Sequence, residues 1–472
     1  MAKGNYDLII IGAGSAGLTA AGFAVQLGRS VALVEKDRVG GDCTWTGCVP
    51  SKTLLKTARV AHEMRQAERY GLPPREPLVD LKAVMEHVKS VVSEVYQAES
   101  PEKLQENGID VFLAPARFLD PHTIETGDSR LTGRFFLIAT GARPGVPPIP
   151  GIEDVNYLTY ETVWDLEDLP RHLMVVGGGP IGCELAQAFC RLGSKVTLLE
   201  VASRILPNDD PEAASLIARQ LMKDGVDLRF GASAAKAWQN GDGIHLELDG
   251  GELVGDALLL ATGRRPAVAG MDLEAAGVRY SDAGIEIGSR LRTSRRHIFA
   301  AGDCAGGYQF THYAAWQGFM AVRNAFLPGS TRGVLSEVPW ATFTDPEVAH
   351  AGLTEADARA KIGEGVMVCS WPMEHVDRAL TEGETAGFLK LVHKSDGSLL
   401  GATIVAPRAG EMIQEWILAM ERGLKIGDLA SSLHIYPTYA TASLQVAAHI
   451  RVEQFLSGTS GKVIRGLARL AR

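Results

Sequence analysis

Two cysteines five positions apart, Cys43 and Cys48, have the residue type and spacing best suited to chemistry in this chain. They lie in the segment G-G-D-C-T-W-T-G-C-V-P-S-K, which runs from Gly40 to Lys52. In a regular helix, positions five apart have Cα atoms roughly 8–9 Å apart, whereas a disulfide tolerates at most about 7 Å. The segment must therefore be distorted if the sulfurs are to join, and Gly47 supplies the backbone freedom.

The surroundings of the pair favour reactive thiols. A helix is predicted to continue through Pro50 and Ser51, and its N–H groups, together with the Lys52 ammonium, can lower the pKa of a thiol. Three interpretations stay open, namely a reversible redox disulfide, a pair of metal ligands and inert core cysteines. No second Cys or His pair of matching spacing accompanies the segment, which counts against a metal site.

An internal repeat provides the elements that would position this segment. The stretches 6–35 and 172–200 each read as an apolar strand, a G-x-G-x-x-G turn, a helix, a Leu-Gly stop and a second strand that ends in Glu. The interval from the first motif glycine to that Glu is 23 in both copies, as 35−12 and 200−177 show. One G-x-G-x-x-G is a weak signal, but two copies in the complete frame predict two dinucleotide sites.

Each residue of the repeated motif has a physical role in such a site. The first glycine turns the chain, the second lets a pyrophosphate approach the backbone, and the third lets helix and strand pack closely. The helix N-terminus offers N–H groups to the phosphates, and the terminal Glu accepts hydrogen bonds from ribose hydroxyls. These residues are Gly12, Gly14, Gly17 and Glu35 in the first copy and Gly177, Gly179, Gly182 and Glu200 in the second.

A second duplication follows the motifs. Strands beginning near Phe136 and Leu258 both end in A-T-G-x-R-P, and a third apolar strand delivers Asp303 at its carboxyl end. Ligands of open parallel sheets bind at those ends. We therefore predict an α/β fold with two nested Rossmann-like units and a C-terminal α+β unit without a nucleotide motif. The predicted boundaries are 1–145 with 270–335 for the first unit, 146–269 for the second and 336–472 for the third.

Composition excludes several classes of function. The net charge of −9 lacks the basic surplus of a nucleic-acid or anionic-membrane surface. No apolar run reaches the roughly 18 residues of a membrane span, and the N-terminus does not read as a signal peptide. We expect a cytoplasmic protein. Six cysteines are also too few for a disulfide scaffold in a chain of 472 residues.

Taken together, these segments resemble the FAD-dependent pyridine nucleotide–disulfide oxidoreductases. Within that family the chain is most similar to the mercuric reductase-like branch, which is related to dihydrolipoamide dehydrogenase and glutathione reductase. The resemblance covers nearly the whole chain and includes F-T-D-P-E-V-A-H-A-G-L-T-E near residue 343. It implies FAD on the first unit, NAD(P)H on the second, a homodimer built on the third, and a redox disulfide beside the flavin.

The resemblance also implies roles for individual residues. The charge-transfer cysteine under the flavin corresponds to Cys48 and the exchange cysteine to Cys43. The lysine near the flavin corresponds to Lys52, and its acidic partner to Glu184. Further cofactor-binding positions implied by the resemblance are Gly41, Ala116, Thr140, Gly141, Gly263 and Asp303.

The chain departs from relatives that handle dithiols. Those relatives carry His-Pro-Thr followed by a Glu, whereas the corresponding positions here are Tyr436 and Thr441. A phenol with a pKa near ~10 is a poor base at neutral pH, and His434 is the candidate substitute. We expect mercuric reductase-like reduction of a metal ion or small molecule, although the terminal cysteine pair usual in mercuric reductases is missing, since the last cysteine is Cys369. Dihydrolipoamide dehydrogenase-like chemistry and a redox-sensing flavoprotein are the alternatives.

Two further expectations concern the nucleotide and the tail. A carboxylate such as Glu200 accepts a hydrogen bond from a ribose 2′-OH and repels a 2′-phosphate, so NADH is favoured over NADPH. After Gly461 the tail has four basic residues, no acidic ones and apolar residues at helical spacing. It is predicted to be an amphipathic helix, either packed on the protein or attached to a partner or an anionic surface.

Overall fold

The computed structural model describes residues 4–456, 461, 463 and 465. The chain forms two units, which comprise Met1–His62, Glu76–Val201 and Gly231–Ser336 in the first and Glu63–Arg75, Ala202–Phe230 and Glu337–Arg472 in the second. Most of the basic tail lies outside the described residues. Within the part of the chain that is described, no helix is long and apolar enough to cross a membrane.

The first dinucleotide motif lies in a mainly parallel sheet of the first unit. Strands Asn5–Ile11 and Val31–Glu35 are parallel neighbours joined by helix Ser15–Gln26. Leu8 and Ile10 pack in one apolar cluster and Ile9 and Ile11 in another, so the first strand is buried on both faces, as is usual for parallel sheets. The strand order is Ile109–Leu113, Val31–Glu35, Asn5–Ile11, Ser129–Ile138, Thr123–Thr126 and Ala116–Asp120, with Ile298–Ala300 also beside Ser129–Ile138.

The second motif repeats this local architecture. Strand His172–Val176 leads into helix Pro180–Leu192, and strand Lys195–Glu200 returns parallel to it. Strand Ala257–Leu260 pairs in parallel with the other edge of His172–Val176. An antiparallel sheet of Ala234–Asn240, Gly243–Leu248 and Gly251–Gly255 completes this part.

The connection between the two motifs confirms the predicted nesting. Strand Ile298–Ala300 follows the second motif in sequence but pairs with Ser129–Ile138 of the first sheet. The two A-T-G-x-R-P segments also pair with each other, because strand Arg264–Pro266 runs antiparallel to Ala142–Pro144. The α/β fold class is therefore confirmed, while all of the predicted domain boundaries stay predictions.

The first unit contains further helices besides those of the glycine motifs. They are Gly41–Trp45, Cys48–Arg65, Leu81–Gln97, Pro101–Glu106, Leu273–Ala276 and Thr311–Phe326.

The second unit has the predicted α+β character. Its antiparallel sheet has the strand order Trp340–Thr342, Glu347–Gly352, Leu399–Ala406, Phe388–Lys394 and Val366–Pro372. Its apolar core includes the fully buried Trp416. Helix Ala409–Glu421 carries Trp416 and contributes further side chains to this core. The other helices are Pro211–Asp224, Glu355–Ile362, Asp377–Glu382, Ile426–Ala430 and Thr441–Leu456.

Candidate active site

The cysteine segment is interrupted as the disulfide geometry requires. A short helix, Gly41–Trp45, carries Cys43 and ends at Thr46, and a second helix, Cys48–Arg65, begins at the other cysteine. Between them, a Cβ atom on Gly47 would lie 2.8 Å from the Asp42 carbonyl oxygen. Glycine is therefore needed at position 47 because the backbone approaches closely there, and the break brings the two thiols together.

The two thiols have different acidities. Cys43 and Cys48 hydrogen-bond to each other, and the Thr311 hydroxyl oxygen lies 3.4 Å from Cys48 Sγ. The hydrogen bond from Cys43, helped by Thr311 and by the positive charge of Lys52, outweighs burial and lowers the pKa of Cys48 to about 6. The same hydrogen bond and burial raise the pKa of Cys43. Cys48, at a helix N-terminus, is therefore the thiol that ionises first.

Replacing Thr311 with valine is expected to raise the pKa of Cys48 by about one unit. The hydroxyl hydrogen bond to a charged group is worth roughly 1.5–3 kcal/mol, and one pKa unit corresponds to about 1.4 kcal/mol. At pH 7 less thiolate is then present, so iodoacetamide alkylates Cys48 more slowly. The measurement is the pH dependence of that rate in the reduced holoprotein, read on the Cys48 peptide by mass spectrometry.

The matched control for this prediction is Thr311→Ser, which keeps the hydroxyl and is expected to keep the wild-type pH midpoint. An unchanged midpoint in Thr311→Val would show that the hydroxyl does not stabilise the thiolate.

Lys52 and Glu184 form the ion pair that the resemblance implies. Lys52 lies one helical turn after Cys48, and its Nζ is 3.0 Å from Glu184 Oε2. Glu184 is buried in helix Pro180–Leu192, which follows the second glycine motif. The pair therefore joins the cysteine helix to the second dinucleotide unit.

The first glycine motif has the geometry of a dinucleotide cradle. A Cβ atom on Gly12 would lie 2.3 Å from the Ala139 carbonyl oxygen, and one on Gly17 would lie 1.9 Å from the Gly12 carbonyl oxygen. At Gly14, by contrast, the nearest atom would be 3.8 Å away, and no side chain caps helix Ser15–Gln26. The middle glycine and the helix N–H groups thus face space that fits a pyrophosphate. Glu35, at the end of the second strand, accepts hydrogen bonds from the Ala13 and Asp37 N–H groups.

The second motif has the same arrangement. A Cβ atom on Gly177 would lie 2.5 Å from the Ala261 carbonyl oxygen, and one on Gly182 would lie 1.9 Å from the Gly177 carbonyl oxygen, whereas Gly179 would have nothing within 4 Å. The Glu200 carboxylate is buried and accepts a 2.6 Å hydrogen bond from the Gly178 N–H group. Both motifs therefore fit a dinucleotide in the same way.

The other implied cofactor positions lie on turns and strand ends of the first unit. Gly41, Gly141 and Gly263 have positive φ angles of 63°, 70° and 106°. Thr140 donates a hydrogen bond to the Ala267 carbonyl, and Ala116 is buried at the start of its strand.

Asp303 is the buried acid among these positions. Burial raises its pKa, and the charge of Arg264, whose Nη1 lies 3.0 Å from Asp303 Oδ2, opposes that rise. Among the described residues, Arg264 Nε is buried without a hydrogen-bond partner. A buried donor of this kind costs about 1–3 kcal/mol if it stays unpaired, so an additional acceptor such as a bound cofactor fits beside it.

Tyr436 and His434 lie in the second unit, and each has a carboxylate partner. The exposed Tyr436 hydroxyl donates a 2.7 Å hydrogen bond to Asp377, and this bond raises its pKa above the ordinary tyrosine value. His434 Nε2 lies 2.9 Å from Glu415 Oε2 on helix Ala409–Glu421. The two side chains therefore pair with different acids of their own chain.

Sequence reasoning missed several of these groups. Thr311, Asp377 and Glu415 were not singled out, because their partners are distant in sequence. The contact of Arg264 with Asp303 was also missed, although the place of Arg264 in A-T-G-R-R-P marks a strand end where ligands bind.

Two dinucleotide cradles beside an asymmetric pair of thiols define a nucleotide-dependent flavoprotein oxidoreductase. Residues 6–318 match the pyridine nucleotide-disulphide oxidoreductase family, and residues 338–447 match the dimerisation domain of that family. The chain belongs to this family. It is an enzyme whose cofactors are FAD and NAD(P)H, as predicted, and the dimerisation-domain match supports the predicted homodimer.

The relatives have more than one activity. The chain is 38% identical to a mercuric reductase from Bacillus cereus, covering 92% of this chain and 70% of that protein. It is also 38% identical to a dihydrolipoyl dehydrogenase from Thermus scotoductus, covering 94% and 97% of the two chains. The solved Cu(II) complex of the HOCl-induced flavoprotein disulfide reductase RclA from Escherichia coli has a TM-score of 0.85 and 30% identity, covering 93% of this chain and 99% of that one. The family is thus established, and the electron acceptor is a separate question.

Proposed function

We propose that Cys43 and Cys48 are a redox-active pair that passes two electrons from NAD(P)H to a thiophilic metal ion, in mercuric reductase-like chemistry. Mercuric reductases are among the relatives, and the similar RclA structure is a Cu(II) complex. Soft metal ions prefer thiolate ligands. The thiol pair of this chain supplies two such ligands next to each other.

The chain's own residues prepare the thiols for this reaction. FAD, when bound, accepts a hydride from NAD(P)H and passes on an electron pair. Thr311 and Lys52 favour the Cys48 thiolate, and Glu184 holds Lys52 in place. In the acceptor step, two thiols and Hg(II) give a disulfide, two protons and Hg(0). Overall, NAD(P)H and Hg(II) give NAD(P)⁺, one proton and Hg(0).

The observation that carries the choice of acceptor is the hydrogen bond from Tyr436 to Asp377. Reduction of a disulfide substrate requires a proton donor for the leaving thiol, a role suited to an imidazole near neutral pH. At the corresponding position the Tyr436 phenol donates its hydrogen bond to the Asp377 carboxylate, which raises the pKa of the phenol and makes it a weaker proton donor for a leaving thiolate. Reduction of a metal ion by two thiols requires no such donor, because the thiols release protons.

His434 does not replace the missing base in this proposal. Its side chain is only 11% exposed, and its Nε2 atom lies 2.9 Å from Glu415 Oε2. The other ring nitrogen lies 3.2 Å from the Ser432 carbonyl oxygen. Because both nitrogens have partners within the second unit, we assign His434 a role in holding its own segment.

The test is a comparison of acceptors with the purified holoenzyme and NADH. Hg(II) and Cu(II) are expected to support turnover at least about 100-fold faster than lipoamide or glutathione disulfide, since general acid–base catalysis contributes roughly 10²–10⁴-fold to reactions that need it. Tyr436→Phe is expected to leave metal-ion turnover unchanged. Tyr436→His combined with Thr441→Glu supplies an imidazole and a carboxylate and is expected to increase disulfide turnover.

Two results would contradict the proposal of a metal ion as the electron acceptor. Faster lipoamide turnover that His434→Gln abolishes would identify dihydrolipoamide dehydrogenase-like chemistry. Slow reoxidation with every acceptor would instead identify a redox sensor.

We also propose that NADH is the preferred reductant. The buried Glu200 carboxylate lies at the end of the second motif's return strand, where a 2′-phosphate would meet its negative charge. NADH is expected to reduce the holoenzyme with at least about tenfold higher kcat/KM than NADPH, which corresponds to about 1.4 kcal/mol. Anaerobic titrations with both nucleotides measure this preference, and an equal or higher value for NADPH would contradict it.

A further inference from the structure

The short helix that carries Cys43 is held at both ends by residues distant in sequence. At its start, the Asp42 carboxylate forms an ion pair with Arg264. Just after its end, the Trp164 indole N–H donates a 3.0 Å hydrogen bond to the Thr46 carbonyl. Cys43 therefore lies between two anchored points, one a charged contact and the other a neutral hydrogen bond.

The anchoring residues also contact each other. The Arg264 guanidinium lies 5.2 Å from the centre of the Tyr160 ring, and the Tyr160 hydroxyl donates a 3.4 Å hydrogen bond to Asp42. The Trp164 indole N–H also reaches the Tyr160 carbonyl, at 2.7 Å. We refer to Asp42, Tyr160, Trp164 and Arg264 as the Cys43 clamp.

The clamp is attached to rigid backbone. Arg264 pairs with Pro144 between the two A-T-G-x-R-P strands, and the Gly145 N–H group donates a 2.9 Å hydrogen bond to the Gly263 carbonyl. The Arg264 guanidinium is also held by Asp303, because Arg264 Nη1 lies 3.0 Å from Asp303 Oδ2. Trp164 and Tyr160 are both buried. Arg264 therefore has little freedom to follow a movement of Asp42.

The helix that the clamp holds has little rigidity of its own. It is five residues long, follows Gly40 and begins at Gly41, and both glycines have positive φ angles. Helices this short are marginal without tertiary contacts. Contacts from outside the helix must therefore keep Cys43 close to Cys48.

We propose that Asp42 and Trp164, as parts of the Cys43 clamp, are positioning residues that set the equilibrium between the dithiol and disulfide forms of the Cys43–Cys48 pair. This inference rests on the proposed redox role of that pair. Disulfide formation within a chain is favoured to the extent that the two sulfurs are held in bonding geometry. Loosening the clamp lowers that preference and makes the disulfide easier to reduce.

The test is the redox equilibrium of the holoenzyme in reduced and oxidised dithiothreitol. Peptide-level alkylation reports the fraction of Cys43 and Cys48 in the disulfide. Asp42→Asn and Trp164→Phe are each expected to lower the equilibrium constant for disulfide formation about tenfold, which raises the reduction potential by about 30 mV. Asp37→Asn, which makes the same substitution at an exposed carboxylate outside the clamp, is the matched control and is expected to keep the wild-type value.

The two variants separate position from charge. Asp42→Asn also removes a negative charge near the thiols, whereas Trp164→Phe removes the two hydrogen bonds of the indole N–H and changes no charge. A wild-type equilibrium in Trp164→Phe would overturn the positioning role, even if Asp42→Asn shifts it. Failure of the proposed function is distinguishable, because the wild-type pair would then show the same thiol count in every dithiothreitol mixture.

Discussion

Replacing Cys48 with alanine is expected to lower acceptor-dependent turnover by about 1000-fold or more, because the variant lacks the thiol that ionises first. Cys43 alone has no sulfur partner with which to form a disulfide. Reduction of the bound cofactor by NADH precedes the thiol step, so the visible absorbance of the variant is still expected to bleach anaerobically. Stopped-flow absorbance and steady-state turnover measure the two steps separately.

Cys369→Ala is the control for this experiment. Cys369 is a half-buried cysteine on strand Val366–Pro372 of the second unit, and its replacement is expected to leave turnover unchanged. If Cys48→Ala turned over at the wild-type rate, electrons would reach the acceptor without the thiol pair.

Replacing Gly17 with alanine is expected to destabilise the first dinucleotide unit by about 3 kcal/mol or more and to cause loss of FAD. The added Cβ atom would lie 1.9 Å from the Gly12 carbonyl oxygen, so strand and helix would have to separate. That separation would disturb the turn that fits the pyrophosphate. The melting temperature and the FAD content of the purified protein measure the two effects.

The same helix offers a matched control in Gly22. A Cβ atom there would have nothing within 4 Å, and Gly22 does not have a positive φ angle. Gly22→Ala is therefore expected to stabilise the helix by about 0.5–1 kcal/mol and to retain FAD. Equal losses of stability and FAD in Gly17→Ala and Gly22→Ala would show that close packing does not explain why residue 17 is a glycine.

The dinucleotide cradles could be predicted from sequence because each is built from residues close together in the chain. Gly12 and Gly14 lie on one turn, Gly17 lies at the start of the helix that follows, and Glu35 ends the next strand, so spacing alone places them together. The interruption between Cys43 and Cys48 was predicted for the same reason, since standard helix dimensions exclude a disulfide in an unbroken helix.

The contacts that tune the thiols could not be predicted in this way. Thr311 lies 263 positions from Cys48, and Arg264 lies 222 positions from Asp42. These pairs meet only through the tertiary fold, and no local sequence pattern specifies which of these side chains face each other.

The hydrogen-bond partner of Tyr436 could not be predicted from the sequence either. The sequence showed that Tyr436 replaces a histidine, but only the structure showed that Asp377 accepts a hydrogen bond from the phenol and raises its pKa. With this hydrogen bond, Tyr436 is a poor group for proton transfer to a leaving thiolate. A metal-ion acceptor, which needs no such transfer, is proposed for this reason.

The most direct test of the whole account is a count of titratable thiols before and after anaerobic reduction of the holoenzyme by NADH. Two additional thiols are expected in the reduced form, and peptide mapping is expected to assign them to Cys43 and Cys48. An equal count in both forms would contradict the account, because the pair would then take no electrons from the nucleotide.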